Sequence, residues 1–464
     1  MSFELQPVLT HLENDRVGAR ARLFDFLRIP SISTDPAHRA DCAAAAGWCV
    51  ADLRSCGFNA AVRPTAGHPM VVGRRDGPPG APHILFYGHY DVQPVDPVEL
   101  WRHGPFDPTL EDGPHGPRVV ARGAVDDKGE VAAFFEACRA WQTVHGALPC
   151  GVTVFLEGEE ESGSPSLEPF LEASRAELKA DVCVVADTGM WDIDTPSITA
   201  MLRGIALVEV IIHGPSRDLH SGLYGGGVPN PAQVLSSILA AMHDDQRRVQ
   251  LAGFYDSIAP LSDRIRQMWA KLPNRDAQFL GGVGVSVPLG ETGFSTLERT
   301  WCRPTLEVNG IYGGYTGPGS KTVIGAHAGA KISCRLVPGQ DPARVVASLK
   351  QFVLQRLPSG CRAEFIDQGA SPAIQVSDDS PWLRAAAKAM QGIMGRETLI
   401  IGSGGSIPAV GAIQRHLGID SILVGFGLDD DAVHSPNEKF EMRCFENAAR
   451  CHASILSQIG ALRS

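Results

Sequence analysis

The chain has 464 residues, 44% of them hydrophobic, so it is long enough to bury more than one core. Its formal net charge of -11 argues against nucleic acid and anionic membranes as partners, because both recruit lysine and arginine clusters. No stretch approaches the ~18 apolar residues of a membrane span, and the first residues lack a signal peptide. The 11 cysteines are scattered and odd in number, which suits free thiols. We therefore expect a two-domain cytoplasmic protein.

Short, nearly continuous apolar runs predict strands that are buried on both faces of a sheet. A helical pattern at Glu130 to Trp141 lies between two of them, so the chain should form an α/β domain with a doubly wound mixed sheet. The apolar runs are His83–Tyr87, Val152–Leu156, Val182–Val185 and Ile422–Gly425.

Between residues 205 and 369 the pattern changes to a β-α-β unit that occurs twice. Asn230-Pro231 and Asp341-Pro342 are typical helix openings, with a capping side chain followed by proline in the first turn. This order predicts an α+β ferredoxin-like domain inserted into the α/β domain. Residues 1–204 and 370–464 would then form a single catalytic domain.

Each predicted buried strand is followed by side chains that bind metal ions. A mixture of histidine and carboxylate suits zinc, with manganese or cobalt as alternatives, better than it suits magnesium. Charge favours two ions, because three carboxylates and a hydroxide offset two divalent cations. The candidate residues are His89, Asp91, Asp126, Glu159, Glu160, Glu161, Asp187 and His434.

Two short spacings assign roles within this group. Asp91 lies two residues after His89, so in an extended segment its carboxylate can accept the other N–H of the imidazole. Glu160 and Glu161 are adjacent and their side chains diverge, so one can bind metal while the other acts as general base on the bound water. The spacing alone does not decide which glutamate has which role.

Five segments together resemble the carnosinase and cytosolic nonspecific dipeptidase group. This group belongs to the dinuclear zinc peptidase superfamily that includes acetylornithine deacetylase and succinyl-diaminopimelate desuccinylase. The segments are His89-Tyr-Asp91-Val-Gln-Pro, Arg122-Gly-Ala-Val-Asp126-Asp-Lys-Gly, Glu157-Gly-Glu-Glu160-Glu161-Ser-Gly-Ser, Val185-Ala-Asp187 and His434-Ser-Pro-Asn-Glu438.

The resemblance implies a ligand set for two zinc ions. One ion would be held by His89 and Asp187, the other by Glu161 and His434, and Asp126 would bridge them.

The resemblance also separates the roles of the remaining acids. Glu160 would be the general base on a metal-bridging water, and Asp91 would orient His89. The peptide bond between Asp126 and Asp127 would be cis. Asp127 and Lys128 could otherwise form a surface pair, and we give them no role.

The inserted domain would serve as a lid and a dimerisation domain. By resemblance, His220 and Thr322 reach the active site of the partner subunit in a homodimer, where His220 stabilises the oxyanion. Arg335 and Ser406 would bind the substrate carboxylate. Alternatively, His220 is only an interface contact and Arg335 pairs with an acid on its own sheet.

The predicted function is metal-dependent hydrolysis of the peptide bond of dipeptides. An alternative substrate is a small N-acyl amino acid, cleaved by an amidohydrolase of the deacetylase or desuccinylase type. A second alternative is a non-catalytic homologue that binds metal or peptide. Glu160 argues against it, because a binding module needs no free carboxylate beside a metal-bound water.

Overall fold

The structure, a computed structural model, describes residues 3–272, 276–281 and 283–462. The strands are β1 (Asn59–Arg63), β2 (Met70–Arg75), β3 (His83–His89), β4 (Thr109–Gly113), β5 (Gly116–Val120), β6 (Gly151–Glu157), β7 (Val182–Val185), β8 (Ser197–Leu202), β9 (Gly204–His213), β10 (Leu219–His220), β11 (Thr305–Gly313), β12 (Val323–Ile324), β13 (His327–Leu336), β14 (Arg362–Ser371), β15 (Ile374–Gln375), β16 (Leu399–Ser403), β17 (Ser421–Leu423) and β18 (Lys439–Glu441).

The helices follow the same chain order. They are α1 (Leu5–Asn14), α2 (Arg16–Leu27), α3 (Arg39–Ser55), α4 (Lys128–His145), α5 (Leu167–Ala173), α6 (Ser221–Tyr224), α7 (Pro231–Ala240), α8 (Asp263–Ala270), α9 (Asp276–Gly281), α10 (Thr296–Trp301), α11 (Pro342–Leu354), α12 (Pro381–Met394), α13 (Pro408–Leu417) and α14 (Met442–Gly460). Within the described ranges, none of them combines the length and the apolar composition that a membrane crossing requires.

The chain divides into two compact units. The first comprises Met1–Ala200, Val376–Ile401 and Ala412–Ser464, and the second comprises Met201–Gln375 and Gly402–Gly411. These boundaries lie a few residues from those that the sequence predicts. Gly402–Gly411 belongs to the second unit, although the sequence places this segment in the catalytic domain.

The larger sheet of the first unit is mixed, and its strands follow the order β1-β2-β6-β3-β7-β17-β8. The strands β6, β3, β7 and β17 are parallel neighbours, whereas β1, β2 and β8 pair in antiparallel fashion. The strands β3, β6 and β7 are buried along almost their whole length, which accounts for their continuous apolar sequences. The carboxyl ends of the parallel strands form one edge, and the predicted α/β class is confirmed.

The second unit contains a smaller antiparallel sheet of order β11-β13-β9-β14, on which α7 and α11 pack. With chain order β9-α7-β11-β13-α11-β14, this is the predicted ferredoxin-like arrangement. The side chain of Asn230 accepts a hydrogen bond from the Ala232 N–H, and Asp341 caps α11 in the same way through Ala343. The predicted helix openings are therefore confirmed.

His452 is an unusual member of the core of the first unit. It lies on α14, is 1% exposed, and neither ring nitrogen has a hydrogen-bond partner among the residues that the structure describes. Its imidazole packs against the rings of Phe86, Phe134 and Phe426, with centroids 6.0, 5.3 and 5.7 Å away. Burial lowers the pKa of His452 to about 3, so the folded protein holds this residue neutral.

We expect the free energy of unfolding of His452→Leu to exceed that of the wild type by a margin that grows as the pH falls below about 6.5. The pKa is 6.5 in the unfolded reference and about 3 in the folded chain, so between these values only the unfolded chain binds the proton. This contribution lowers the free energy of unfolding of the wild type by about 1.4 kcal/mol per pH unit on acidification. Denaturant unfolding of both proteins at neutral pH and near pH 5 measures it.

The matched control is His115→Leu, because His115 is exposed. This variant should keep the pH dependence of the wild type, and effects of acid on other groups cancel in each difference. An identical pH dependence for the wild type and His452→Leu would contradict the expectation.

Candidate metal centre and active site

The register of the parallel strands brings two predicted ligands to the same edge of the sheet. Tyr87 of β3 lies opposite Val185 of β7. His89 and Asp187 each follow two residues later, so they reach the carboxyl edge at the same level. Strand pairing therefore brings both residues to the same edge of the sheet.

Four of the five predicted metal ligands are in direct contact. Nε2 of His89 lies 3.1 Å from Oδ1 of Asp126, and Nε2 of His434 lies 2.9 Å from Oδ2 of the same carboxylate. Nε2 of His434 is also 3.3 Å from Oε2 of Glu161. One donor atom each of His89, Asp126 and Glu161 lie within 4.8 Å of one another. The peptide bond between Asp126 and Asp127 is cis, as the family resemblance implies.

The imidazoles and Asp126 stabilise each other's charges. Burial opposes the charge of Asp126, but its hydrogen bonds with His434 and His89 outweigh it and hold its pKa below the usual value. Burial likewise acts to lower the pKa of His89, yet the hydrogen bonds with Asp126 and Asp91 raise it well above its usual value. The hydrogen bonds of His434 with Asp126 and Glu161 raise its pKa to about 10.

The other carboxylates of the centre repel one another. Burial and then the charge of Asp126 raise the pKa of Asp187 well above its usual value. Burial also raises the pKa of Glu160; the charge of His89 opposes this rise and that of Glu161 adds to it. The electrostatic repulsion between these acids raises the free energy of the folded chain, and a bound cation would offset it.

The residues therefore fit divalent metal ions. Two imidazoles and three carboxylates converge on one edge of the sheet, and this donor set is typical of zinc and other transition metals. The mutual repulsion of the carboxylates is the charge that such ions would offset.

Asp91 contacts both the histidine and the glutamates of the centre. Its Oδ1 lies 3.4 Å from Nδ1 of His89, and its main-chain oxygen lies 3.1 Å from the same nitrogen. Its carboxylate also accepts hydrogen bonds from the backbone N–H groups of Glu160, at 3.3 Å, and Glu161, at 3.0 Å. Asp91 therefore joins the end of β3 to the turn that carries both glutamates, which the sequence does not indicate.

The alternative that Asp127 and Lys128 form a surface pair is wrong, because both are fully buried. Oδ2 of Asp127 accepts a hydrogen bond of 3.0 Å from the backbone N–H of His89. Nζ of Lys128 donates to the carbonyl oxygens of Phe26, at 3.3 Å, and Ile29, at 2.5 Å. Lys128 thereby satisfies carbonyls at the end of α2.

Arg122 and Glu438 form a buried ion pair that the sequence analysis misses. Nη1 of Arg122 lies 2.8 Å from Oε2 of Glu438, and the side chains are 1% and 0% exposed. Opposite charges inside two ligand-bearing segments are the signal that could have suggested it.

In the second unit, the structure brings His220 and Thr322 close together. His220 pairs with Val323 between β10 and β12, and the carbonyl oxygen of Thr322 accepts a hydrogen bond of 3.0 Å from Ser221. Nδ1 of His220 accepts a hydrogen bond of 3.0 Å from the backbone N–H of Gly222. In the neutral ring the proton is then on Nε2, which leaves an N–H donor at the exposed end of the side chain.

Arg335 and Ser406 are also in contact. Nη1 of Arg335 donates to Oγ of Ser406 at 3.2 Å, and this hydroxyl donates to the carbonyl oxygen of Arg203 at 2.6 Å. Burial, with the neighbouring charge of Arg335, lowers the pKa of Arg203 to about 10. Among the described residues, the guanidinium of Arg335 thus contacts the hydroxyl of Ser406 rather than an acid, and Arg203 is a second cation that the sequence analysis does not identify.

A family model described as peptidase family M20/M25/M40 matches residues 85–458. The chain belongs to this family. It is therefore a metallopeptidase, and the predicted family and enzyme class are confirmed.

Relatives in this family include several proteins named for peptide hydrolysis. The Cys-Gly metallodipeptidase of Candida albicans is 30% identical over 98% of this chain and 97% of its own length. The structure of human carnosine dipeptidase 1 superimposes with a TM-score of 0.77 at 26% identity and covers 99% of both chains. The M20 family metallo-carboxypeptidase Sso-CP2 of Sulfolobus solfataricus has a TM-score of 0.80 at 30% identity, over 96% of this chain and 99% of its own.

We expect Asp91→Asn to weaken metal binding by about 10- to 100-fold, as is usual when a group that orients ligands is changed. The amide nitrogen of asparagine cannot accept a hydrogen bond from a backbone N–H, so one of the two hydrogen bonds from Glu160 and Glu161 is lost. Equilibrium dialysis against zinc measures the affinity. The control is Asp181→Asn, because Asp181 accepts the N–H of His83, at 2.7 Å, at the other end of the same strand. Unchanged zinc affinity in Asp91→Asn would refute a role of Asp91 in holding His89 and the turn of Glu160 and Glu161 in place.

Proposed function

We propose that this metallopeptidase binds two divalent cations and hydrolyses the peptide bond of dipeptides. The observation that carries the proposal is the orientation of Asp126. Its two oxygens face different imidazoles, Oδ1 that of His89 and Oδ2 that of His434, as a carboxylate that bridges two ions requires.

In this proposal His89 and Asp187 hold one ion, and Glu161 and His434 hold the other. Asp126 bridges them. Zinc is the proposed metal, with manganese or cobalt as alternatives that suit the same donors.

Bound divalent cations would polarise the scissile carbonyl and lower the pKa of the attacking water. Glu160 takes the proton of that water and delivers it to the leaving amine. Two observations support this role: the pKa of Glu160 is raised, chiefly by burial, and its backbone is held by Asp91. A raised pKa brings the carboxyl closer to the pH at which it must both accept and release a proton.

The second unit would act as a lid and dimerisation domain, and the first as the catalytic domain. The exposed Nε2–H of His220 is suited to stabilise the oxyanion, and with Thr322 it would act on the partner subunit's site in a homodimer. Arg335 would bind the substrate carboxylate, with Ser406 holding its guanidinium in place. Cytoplasmic localisation, expected from the sequence, is part of the same proposal.

Dipeptides are the proposed substrates because relatives named as dipeptidases match the chain over nearly its whole length. A second candidate is carboxypeptidase activity on longer peptides. It is supported by the likeness to the Sulfolobus solfataricus metallo-carboxypeptidase, and it would use the same recognition of a free carboxylate.

A substrate panel tests the proposal on protein reconstituted with zinc, manganese or cobalt. We expect turnover of dipeptides, little turnover of dipeptide amides that lack the carboxylate for Arg335, and two ions per chain by elemental analysis. Turnover of longer peptides would favour the carboxypeptidase. Turnover of N-acetyl or N-succinyl amino acids alone would move the function to amidohydrolysis, and no stoichiometric metal would refute the site.

We expect Glu160→Gln to lower kcat by about 10²- to 10⁴-fold while both ions remain bound, because the amide cannot take a proton. Steady-state kinetics and metal analysis on the same sample measure both quantities. Glu168→Gln is the control: Glu168 is half-exposed and pairs with Arg415 at the surface, so kcat should not change. Full turnover by Glu160→Gln would exclude Glu160 as the base.

A further inference from the structure

Glu438 is a buried carboxylate whose two oxygens both face hydrogen-bond donors of one segment. Oε2 accepts hydrogen bonds from Nη1 of Arg122, at 2.8 Å, and from the backbone N–H of Gly123, at 3.0 Å. Oε1 accepts from the backbone N–H groups of Val125, at 2.9 Å, and Asp126, at 3.1 Å. Every one of these groups is a donor, so both oxygens of Glu438 act as acceptors for this segment.

This carboxylate lies on the same short stretch of chain as His434. The carbonyl oxygen of Glu438 accepts a hydrogen bond of 3.1 Å from Ala121, and β18 then continues the pairing with β5. The segment that carries His434 is thus attached, by side chain and by backbone, to the segment that carries Asp126.

We propose that Glu438 is a positioning residue that sets the distance between the carboxylate of Asp126 and the imidazole of His434. The inference rests on the proposed function, in which both are metal ligands. Glu438 would act through the backbone, because it accepts a hydrogen bond from the N–H of Asp126 and lies four residues from His434 in the chain.

A purely structural ion pair is the alternative, in which Glu438 only neutralises Arg122. Arg122 is already engaged at other points: its Nη2 donates to the carbonyl oxygen of Pro94 at 2.8 Å, and its guanidinium lies 5.4 Å from the ring of Trp101. Neutralising Arg122 would occupy one oxygen of Glu438. The second oxygen is occupied entirely by N–H groups of the ligand segment, which favours positioning.

The two proposed ions should depend on Glu438 to different extents. His89 is the last residue of β3 and Asp187 lies two residues after β7, so the sheet positions both of them, and Glu438 reaches their ion only through the shared Asp126. His434 has no such support: its side chain is 54% exposed and its φ of 60° lies in the left-handed region. The ion held by Glu161 and His434 should therefore weaken first when Glu438 is changed.

Zinc binding by Glu438→Gln, measured by equilibrium dialysis over a range of zinc concentrations, tests whether one ion is lost selectively. Glutamine keeps the size of the side chain but turns an NH2 group toward backbone donors. We expect two tight ions in the wild type, and in the variant one ion whose affinity falls at least about 10-fold more than that of the other. The visible absorption of the cobalt-loaded variant should also change, because the geometry at one ion changes.

The control variant is Glu136→Gln. Glu136 is also a buried carboxylate of the first unit, paired with Arg22 at 2.6 Å, and the structure shows no hydrogen bond from it to a proposed ligand. It should retain both ions and the cobalt spectrum of the wild type. If Glu438→Gln does not fold, Glu438→Asp takes its place, since it keeps the charge but withdraws the oxygens from the N–H groups.

The outcomes distinguish failure of the positioning role of Glu438 from failure of the proposed function. Two unchanged ions and an unchanged spectrum in the Glu438 variant would overturn the inference, and so would equal weakening of both ions, which indicates general loosening. Absence of two ions in the wild type would refute the proposed function instead. Selective loss of one ion, with Glu136→Gln unaffected, supports the positioning role.

Discussion

The candidate metal centre depends on the confinement of several ionisable side chains at the buried carboxyl edge of one sheet. Asp126 is stabilised in its charged form by two imidazoles, whereas burial and neighbouring acids raise the pKa of Asp187 and Glu160. Like charges this close would separate if their backbones were free to move. The surrounding structure must therefore hold them in place, and much of the first unit can be understood as a means of doing so.

Two kinds of support hold these residues. Parallel pairing of β3 and β7 brings His89, at the end of β3, and Asp187, two residues after β7, to the same edge of the sheet. The other proposed ligands lie on irregular segments, and there buried carboxylates accept hydrogen bonds from backbone N–H groups of the same segments. Asp91 holds the turn of Glu160 and Glu161, and Glu438 holds Asp126 in the same way. Asp127 adds such a hydrogen bond to His89 at the end of β3. Charge-assisted hydrogen bonds to backbone are strong and directional, which suits them to this task.

The second unit concentrates positive charge in a comparable manner. Arg203 and Arg335 lie close enough for one charge to lower the pKa of the other, and Ser406 links them through its single hydroxyl. Two neighbouring guanidinium groups are suited to an anionic group, and the carboxylate of a peptide is such a group. The helical caps at Asn230 and Asp341, by contrast, are local features that support only the fold.

The sequence by itself determined the α/β class and the inserted ferredoxin-like domain, and it indicated which residues are candidate metal ligands. It could do so because apolar periodicity, caps and metal-binding side chains after strands are local signals. The tertiary structure alone decided that Lys128 is buried, that Gly402–Gly411 joins the second unit, and which partner each oxygen of Asp126 faces. The hydrogen bond from the backbone N–H of Asp126 to Glu438 joins residues that lie 312 positions apart in the chain. Contacts of that kind depend on how distant segments meet, and no local pattern encodes them.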